Sequence, residues 1–292
     1  MMDEYSWKID ELITRYELEP SIKDIFVEGR RDQVILRTFF NKIQIGNIGV
    51  HKISSVQIAI EDIDTDLDLE EGENKIKVIF LAKKLDTTIP FSNQVICIAD
   101  KDFDEFLGRS YNNSKLLFTD YSCMEMYFFS KEFLKDFFEL YLLGIPYESN
   151  IVFSQLVKIL QELFLIRLTR IILKLELKWL NFQGCCSFNN GDIDFDSKDF
   201  VNRYLNKNNQ HILNNAFLSK IEELRVKLKD DYRFQIRGRD FYELLSYYVL
   251  QCGTDFKIGN LDAIKRVFFY RFIINDLLNE KLFQSIINWA KN

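Results

Sequence analysis

The sequence predicts an α/β protein, with a parallel sheet flanked by helices in its first half and an all-α C-terminal half. Three observations carry that expectation. Val95 to Ala99 (VICIA) is a continuous apolar run, the pattern of a strand buried on both faces of a parallel sheet. Short apolar runs alternate with amphipathic stretches through the first half, as βαβ units require. The 292 residues include 11 Gly and 3 Pro against 27 Phe, too few breakers and too many large apolar side chains for a turn-rich sandwich.

Taken in order, Ile25-Phe26-Val27 is a short strand ending at Glu28-Gly29, and Arg31 to Phe40 has helical spacing. Gln44 to Val50 and Val56 to Ile60 are strand candidates. Asn74 to Leu85 sets Val78, Leu81, Ala82 and Leu85 on one side of a helix. The run Val95 to Ala99 ends in Asp100-Lys101-Asp102. Leu116 to Phe118 is a further strand, and a long helix is expected from Ser122 to Leu142. Beyond Gly144-Ile145-Pro146 the periodic stretches are helical: Asn150 to Leu180, Lys198 to Asn206, Ile212 to Lys229, Asp240 to Gln251, Leu261 to Ile273 and Lys281 to Ala290. Turn signals gather at Gln183 to Asp196. The expected organisation is an α/β domain over 1–144 and a helical domain over 145–292.

A hydrophobic share of 47% and a charged share of 28% exclude a mainly disordered chain. Cys97, Cys123, Cys185, Cys186 and Cys252 are odd in number and contain no C-x-x-C pair. With only His51 and His211 beside them, neither a disulfide framework nor a zinc site is expected. The opening MMDEYSWKIDELI lacks the apolar core of a signal peptide. The most apolar stretch, Leu156 to Leu180, is interrupted by Arg167, Arg170, Lys174, Glu176 and Lys178. A cytoplasmic protein with no membrane partner is therefore expected. The net charge of −6 argues against a nucleic-acid partner at first sight. Eight of the acids, however, fall between Glu61 and Glu73; without them the charge becomes +2, and a local basic surface is open.

Ligands of open parallel sheets gather outside the carboxyl ends of the strands. Glu28 stands after the first strand, Asp100 and Asp102 after the buried one. The Asp-x-Asp spacing in an extended exit turn aims both carboxylates at one pocket. Three carboxylates in one pocket cannot all ionise without a cation, and hard oxygen ligands select Mg²⁺ or Mn²⁺. Such a metal activates water and neutralises charge on a phosphate. The competing reading is that Glu28 and Asp102 merely open helices, whose N-termini favour acids.

The segment Ile25-Phe26-Val27-Glu28-Gly29-Arg30-Arg31-Asp32 resembles the opening of TOPRIM domains, and Val95 to Asp102 resembles their later strand with its Asp-x-Asp. Leu117 to Glu125 (LFTDYSCME) and Ile236-Arg237-Gly238-Arg239-Asp240 are similar to motifs of a bacterial TOPRIM family of nuclease effectors in anti-phage defence, as in the PARIS system. The resemblance spans most of the chain. It implies Glu28, Asp100 and Asp102 as catalytic metal ligands. It also implies Asp32 as the second acid of OLD-type TOPRIM nucleases, and Glu125 as a later acid completing a second metal site. Asp104 ranks below Asp102, being expected inside the following helix. Arg30, Arg31, Arg237 and Arg239 are the phosphate-binding candidates. The implied activity is a Mg²⁺- or Mn²⁺-dependent endonuclease of abortive infection that cleaves host tRNA once released from an ABC-type ATPase partner, and acts as a homodimer. A DNA-directed OLD-type nuclease and a non-catalytic adaptor docking the ATPase are the alternatives. The chain contains no G-x-x-x-x-G-K-[ST], which leaves ATP hydrolysis to a partner.

Four further features have plainer readings. Asp62, Asp64, Asp66, Asp68, Glu70 and Glu73 imitate a calcium loop, but Leu67 stands where the turn needs Gly, so a solvated acidic loop is expected, one that could dock a basic partner surface. Arg167, Arg170, Lys174 and Lys178 share one helix face, either to track phosphates or simply to be solvated. Cys185-Cys186 reads as packing. His211 has no triad partner in sight.

Overall fold

The computed structural model describes residues 6–59, 61, 63, 72–90, 92–141, 148–253, 264 and 274–291. Helix α1 (Ile9–Leu18) leads to strand β1 (Lys23–Val27), helix α2 (Arg30–Lys42), strand β2 (Ile48–Lys52) and helix α3 (Glu73–Thr88). Strands β3 (Val95–Ala99) and β4 (Leu116–Phe118) complete a four-stranded sheet of order β2-β1-β3-β4, with every neighbouring pair parallel. The expected α/β class with a parallel sheet between helices is therefore observed. The chain steps from β1 outward to β2, then crosses back to β3 and on to β4. Right-handed crossovers accordingly put α2 and α3 on opposite faces. Phe26, Val95, Cys97 and Ala99 join Leu12 and Tyr16 of α1 and the apolar stripe of α3 in one buried cluster. Ile25, Val27, Ile96 and Ile98 alternate to the other face and are equally buried. All five residues of β3 are buried, each apolar side chain larger than Ala worth about 1.5–3 kcal/mol.

At the amino end of the sheet, Asp24 ties α1 to β1 and β2. Its carboxylate, 1% exposed, accepts from Arg15 Nη1 (2.8 Å) and the Tyr16 hydroxyl (3.1 Å), and lies 3.0 Å from His51 Nε2. Gly49 is required beside it, because a Cβ there would stand 2.1 Å from Asp24 Oδ1.

The chain divides into two compact units, residues 1–124 with 273–292, and residues 125–272. This differs from the expected partition at Gly144, a residue outside those described. The reason lies at the C-terminus. Beyond the short helix α9 (Ile274–Leu277), helix α10 (Lys281–Lys291) belongs to the sheet unit: Phe283 meets Phe39 edge-on at 4.8 Å, Asp120 accepts the Leu282 N–H, and Lys23 donates to the Trp289 carbonyl.

Met124–Tyr127, where the chain passes into the second unit, forms a 3₁₀ turn, followed by helix α4 (Lys131–Asp136) and a π-helical turn at Phe137–Tyr141. The single helix expected from Ser122 to Leu142 is thus broken, because the Ser130 hydroxyl accepts the Phe133 N–H and caps a fresh start. Helix α5 (Ser149–Ile172) packs against α4, α7 (Asn214–Arg225) and α8 (Gly238–Gln251). It stops short of the expected Leu180, with Lys174 in the left-handed region (φ 52°). The half is also not all-α. Cys186–Asn189 (β5) and Asp192–Phe195 (β6) form an antiparallel hairpin ahead of helix α6 (Ser197–Lys207). Its turn is Asn190-Gly191, both at positive φ (49° and 91°), the pair that a tight hairpin demands. The helix expected at Leu261 to Ile273 lies, except for Ile264, outside the described residues, as does most of the acidic segment.

Candidate active site

The strand order reverses direction between β1 and β3, which makes the carboxyl ends of those two strands the switch point where doubly wound sheets bind ligands. Val27 and Ile98 are paired in register, so Glu28 and Asp100 leave the sheet side by side. The Asp100 N–H donates to Glu28 Oε1 at 2.8 Å, and Asp100 Oδ1 accepts the Met124 N–H at 3.0 Å. Asp102 stands in the left-handed region (φ 46°), which Asp tolerates better than most side chains, and its N–H donates to the Ser122 carbonyl at 2.7 Å. Thr119, at the end of β4, accepts the Lys101 N–H at 3.0 Å and so braces the same turn.

The three sequence-predicted catalytic acids are therefore brought to one place. Burial pushes the Glu28 carboxyl well above its ordinary range, and the charges of Asp102 and Asp32 push it further, against the opposing pull of the Asp100 N–H and Lys75. Asp32 sits one turn into α2, where its Oδ2 accepts the Gly29 N–H at 3.0 Å. It is both a helix-start acid and a neighbour that Glu28 feels. Arg30 (exposed) and Arg31 (half-buried) open α2, an end where cations oppose the helix dipole.

Sequence reasoning missed Lys75. This lysine, 1% exposed, rises from the first turn of α3 and places Nζ 2.9 Å from Asp104 Oδ2 and 3.5 Å from Asp102 Oδ2, while donating to the Lys101 carbonyl at 3.2 Å. A signal was present: Lys75 lies on the buried stripe of Val78, Ile79 and Ala82, where a charge needs a partner. Asp104 is buried in a turn rather than in a helix, and pairs with Lys75. The donor set of Glu28, Asp100 and Asp102 is all hard oxygen and short of positive charge, which fits Mg²⁺ or Mn²⁺. Among the described residues, no three Asp, Glu, His or Cys side chains are gathered into a ready-made cage for an ion.

Glu125, Arg237 and Arg239 belong to the second unit. The Glu125 carboxylate, buried, lies against the first residue of α8: a Cβ on Gly238 would meet Oε2 at 2.3 Å. There it complements the helix N-terminus. Arg237 precedes that helix as its N-cap residue, and Arg239, largely exposed, pairs with Glu243 at 2.9 Å. Arg167 does not track phosphates. It makes two 2.7 Å bonds to buried Asp240 and lies 3.5 Å above the Trp179 ring. Cys185 and Cys186 pack as expected, burial pushing both thiols up, that of Cys186 to about 12. Among the described residues, no helix is long and apolar enough to cross a membrane. No protein-family model matches the chain, and no curated protein matches it.

Proposed function

We propose that the sheet unit is the catalytic part of a metal-dependent phosphodiesterase acting on nucleic acid. One observation carries the reading: Glu28 and the pair Asp100 and Asp102 leave adjacent parallel strands at the switch point of the sheet. Glu28, Asp100 and Asp102 would hold Mg²⁺ or Mn²⁺, with Asp32 a further acid that the TOPRIM resemblance assigns; Glu125, the other acid it assigns, belongs to the second unit. The bound metal would supply Lewis-acid charge and an activated water. The chain's own residues do the rest. The Asp100 N–H orients the Glu28 carboxylate, Lys75 anchors the turn that carries Asp102, and Arg30 and Arg31 present positive charge to phosphates at the start of α2. Arg237 and Arg239 are the corresponding candidates of the second unit.

By the same resemblance, the substrate is host tRNA, the setting is abortive infection in the cytoplasm, an ABC-type ATPase restrains the chain, and the active form is a homodimer. The adaptor reading has its own support, because Glu28, Asp100 and Asp102 each already make a contact that steadies the fold. Incubating the purified chain with tRNA and with plasmid DNA, in Mg²⁺, in Mn²⁺ and in EDTA, separates the readings. The expected result is metal-dependent cleavage of tRNA, abolished by EDTA. Cleavage of the plasmid alone would favour the DNA-directed alternative. Inert nucleic acids beside a stable ATPase complex would favour the adaptor.

A further inference from the structure

A pocket of about 230 Å³ opens beside the exit turn of β3, lined among others by Lys101, Arg109, Ser110, Tyr111 and Phe118. It is smaller than the ~300–1,000 Å³ of sites that take drug-sized ligands, which suits one nucleotide unit at most. Tyr111 and Phe118 stack on each other, ring centres 5.1 Å apart and planes 28° from parallel, and both stay half-buried. Their inner surfaces pack on the α3 side of the core. Phe118 ends the edge strand β4, so the pair stands at a border of the sheet where its outer surface meets the pocket.

Two cations line the same hollow. Lys101 lies between Asp100 and Asp102 and donates to the Asp120 carbonyl at 2.8 Å, and Arg109 lies 3.6 Å from Asp104 Oδ1. Asp104 and Glu105 also line the pocket, and Asp104 is paired with Lys75 at 2.9 Å, a lysine that it shares with Asp102. Aromatic surface next to cations is the combination by which proteins hold single-stranded nucleic acid, the ring taking a base and the cations a phosphate. Lys101 connects the hollow directly to the candidate catalytic turn.

Resting on the phosphodiesterase reading, we infer that this pocket is a nucleotide subsite. It receives one unpaired nucleotide flanking the phosphate to be cut, its base against Tyr111 and Phe118 and its phosphate beside Lys101 and Arg109.

The test uses the full chain in EDTA, so that binding is read without cleavage. The probes are a fluorescent adenine homopolymer RNA and a fully abasic strand of equal length, followed by anisotropy. Tyr111→Leu should weaken binding of the base-bearing strand by roughly 5- to 150-fold and leave the abasic strand unaffected, as the loss of one stacked base implies. Tyr111→Phe, which keeps the ring, should bind like the unmodified chain. Arg109→Gln should weaken both strands and shrink the salt dependence by about 0.7 in log–log slope, one phosphate contact. Equal losses on both strands for Tyr111→Leu, or no loss at all, would overturn the subsite. With metal-dependent cleavage still seen in the separate assay, the phosphodiesterase reading would survive that result. An unmodified chain that neither binds the strand nor cleaves nucleic acid overturns both.

Discussion

The two ends of the parallel sheet hold carboxylates under opposite electrostatic regimes. At the amino end, Asp24 is a single buried acid surrounded by donors: Arg15, Tyr16 and His51 all face it. At the carboxyl end, Glu28 accepts the Asp100 N–H and feels the charges of Asp102 and Asp32, and the nearby lysine, Lys75, divides its charge between Asp102 and Asp104. The first arrangement is complete without any further group, as a structural joint should be. The second leaves Glu28 pushed towards its neutral form by its surroundings. A fold gains nothing from assembling like charges, so the contrast sets an acid with a structural role against acids that the proposed function assigns to chemistry.

The largest expected effect is at the crowded end. Glu28→Gln keeps the side chain's size and its acceptor for the Asp100 N–H but removes the charge. The rate kcat/KM for nucleic-acid cleavage should fall by about 10²–10⁴, since metal-borne charge stabilisation is worth several kcal/mol. The melting temperature should hold or rise. Full activity in this variant would make both ends structural and erase the contrast.

Next comes the donor-rich end. Asp24→Asn should destabilise the protein by about 3 kcal/mol, the low end for breaking a buried ion pair, because Arg15 remains partly exposed. Urea unfolding measures this, and activity per folded molecule should be unchanged. A catalytic defect in a fully stable Asp24→Asn protein would break the assignment of that end to structure.

The smallest effect sharpens the comparison through pH. A carboxyl whose folded pKa is raised binds its proton more tightly in the folded than in the unfolded chain. The stability it contributes is therefore present below the ordinary value of 4.5 and is lost as pH rises through the folded pKa. In EDTA, the stability advantage of Glu28→Gln over the unmodified chain should grow above pH 4.5 by up to about 1.4 kcal/mol per pH unit within that window, then level off. A difference that stays flat with pH would show that Glu28 is not under pressure from its neighbours.

Much of this was legible in the residues. Val95–Ala99 and Leu116–Phe118 form strands as their apolar runs indicate, and α2, α3, α6, α8 and α10 follow their helical periodicity to within a few residues. The failures have local causes. The strand expected at Gln44 to Val50 begins only at Ile48, because Gln44 and Asn47 take positive φ (57° and 63°) and turn the chain first. Val56, expected to open a strand, makes a single bridge to Trp7. Arg167 looked like one cation on a polar stripe, yet Asp240, 73 residues away in sequence, draws it inside.

Periodicity and apolar content determined which segments pack, because burial depends on the side chains of one segment and repeats with its own geometry. They also placed Glu28, Asp100 and Asp102 just past the strands that carry them. What only the tertiary structure decided is pairing between distant residues. The order β2-β1-β3-β4 makes two of those strands neighbours, Lys75 comes to lie against Asp102 and Asp104, and Tyr111 stacks on Phe118. Charge and aromatic contacts act over a few ångströms of space, and the sequence distance between their partners has no bearing on that range. The last helix shows the same limit: α10 is readable as a helix from its own residues, but its place with the sheet unit is set by Phe39, Lys23 and Asp120.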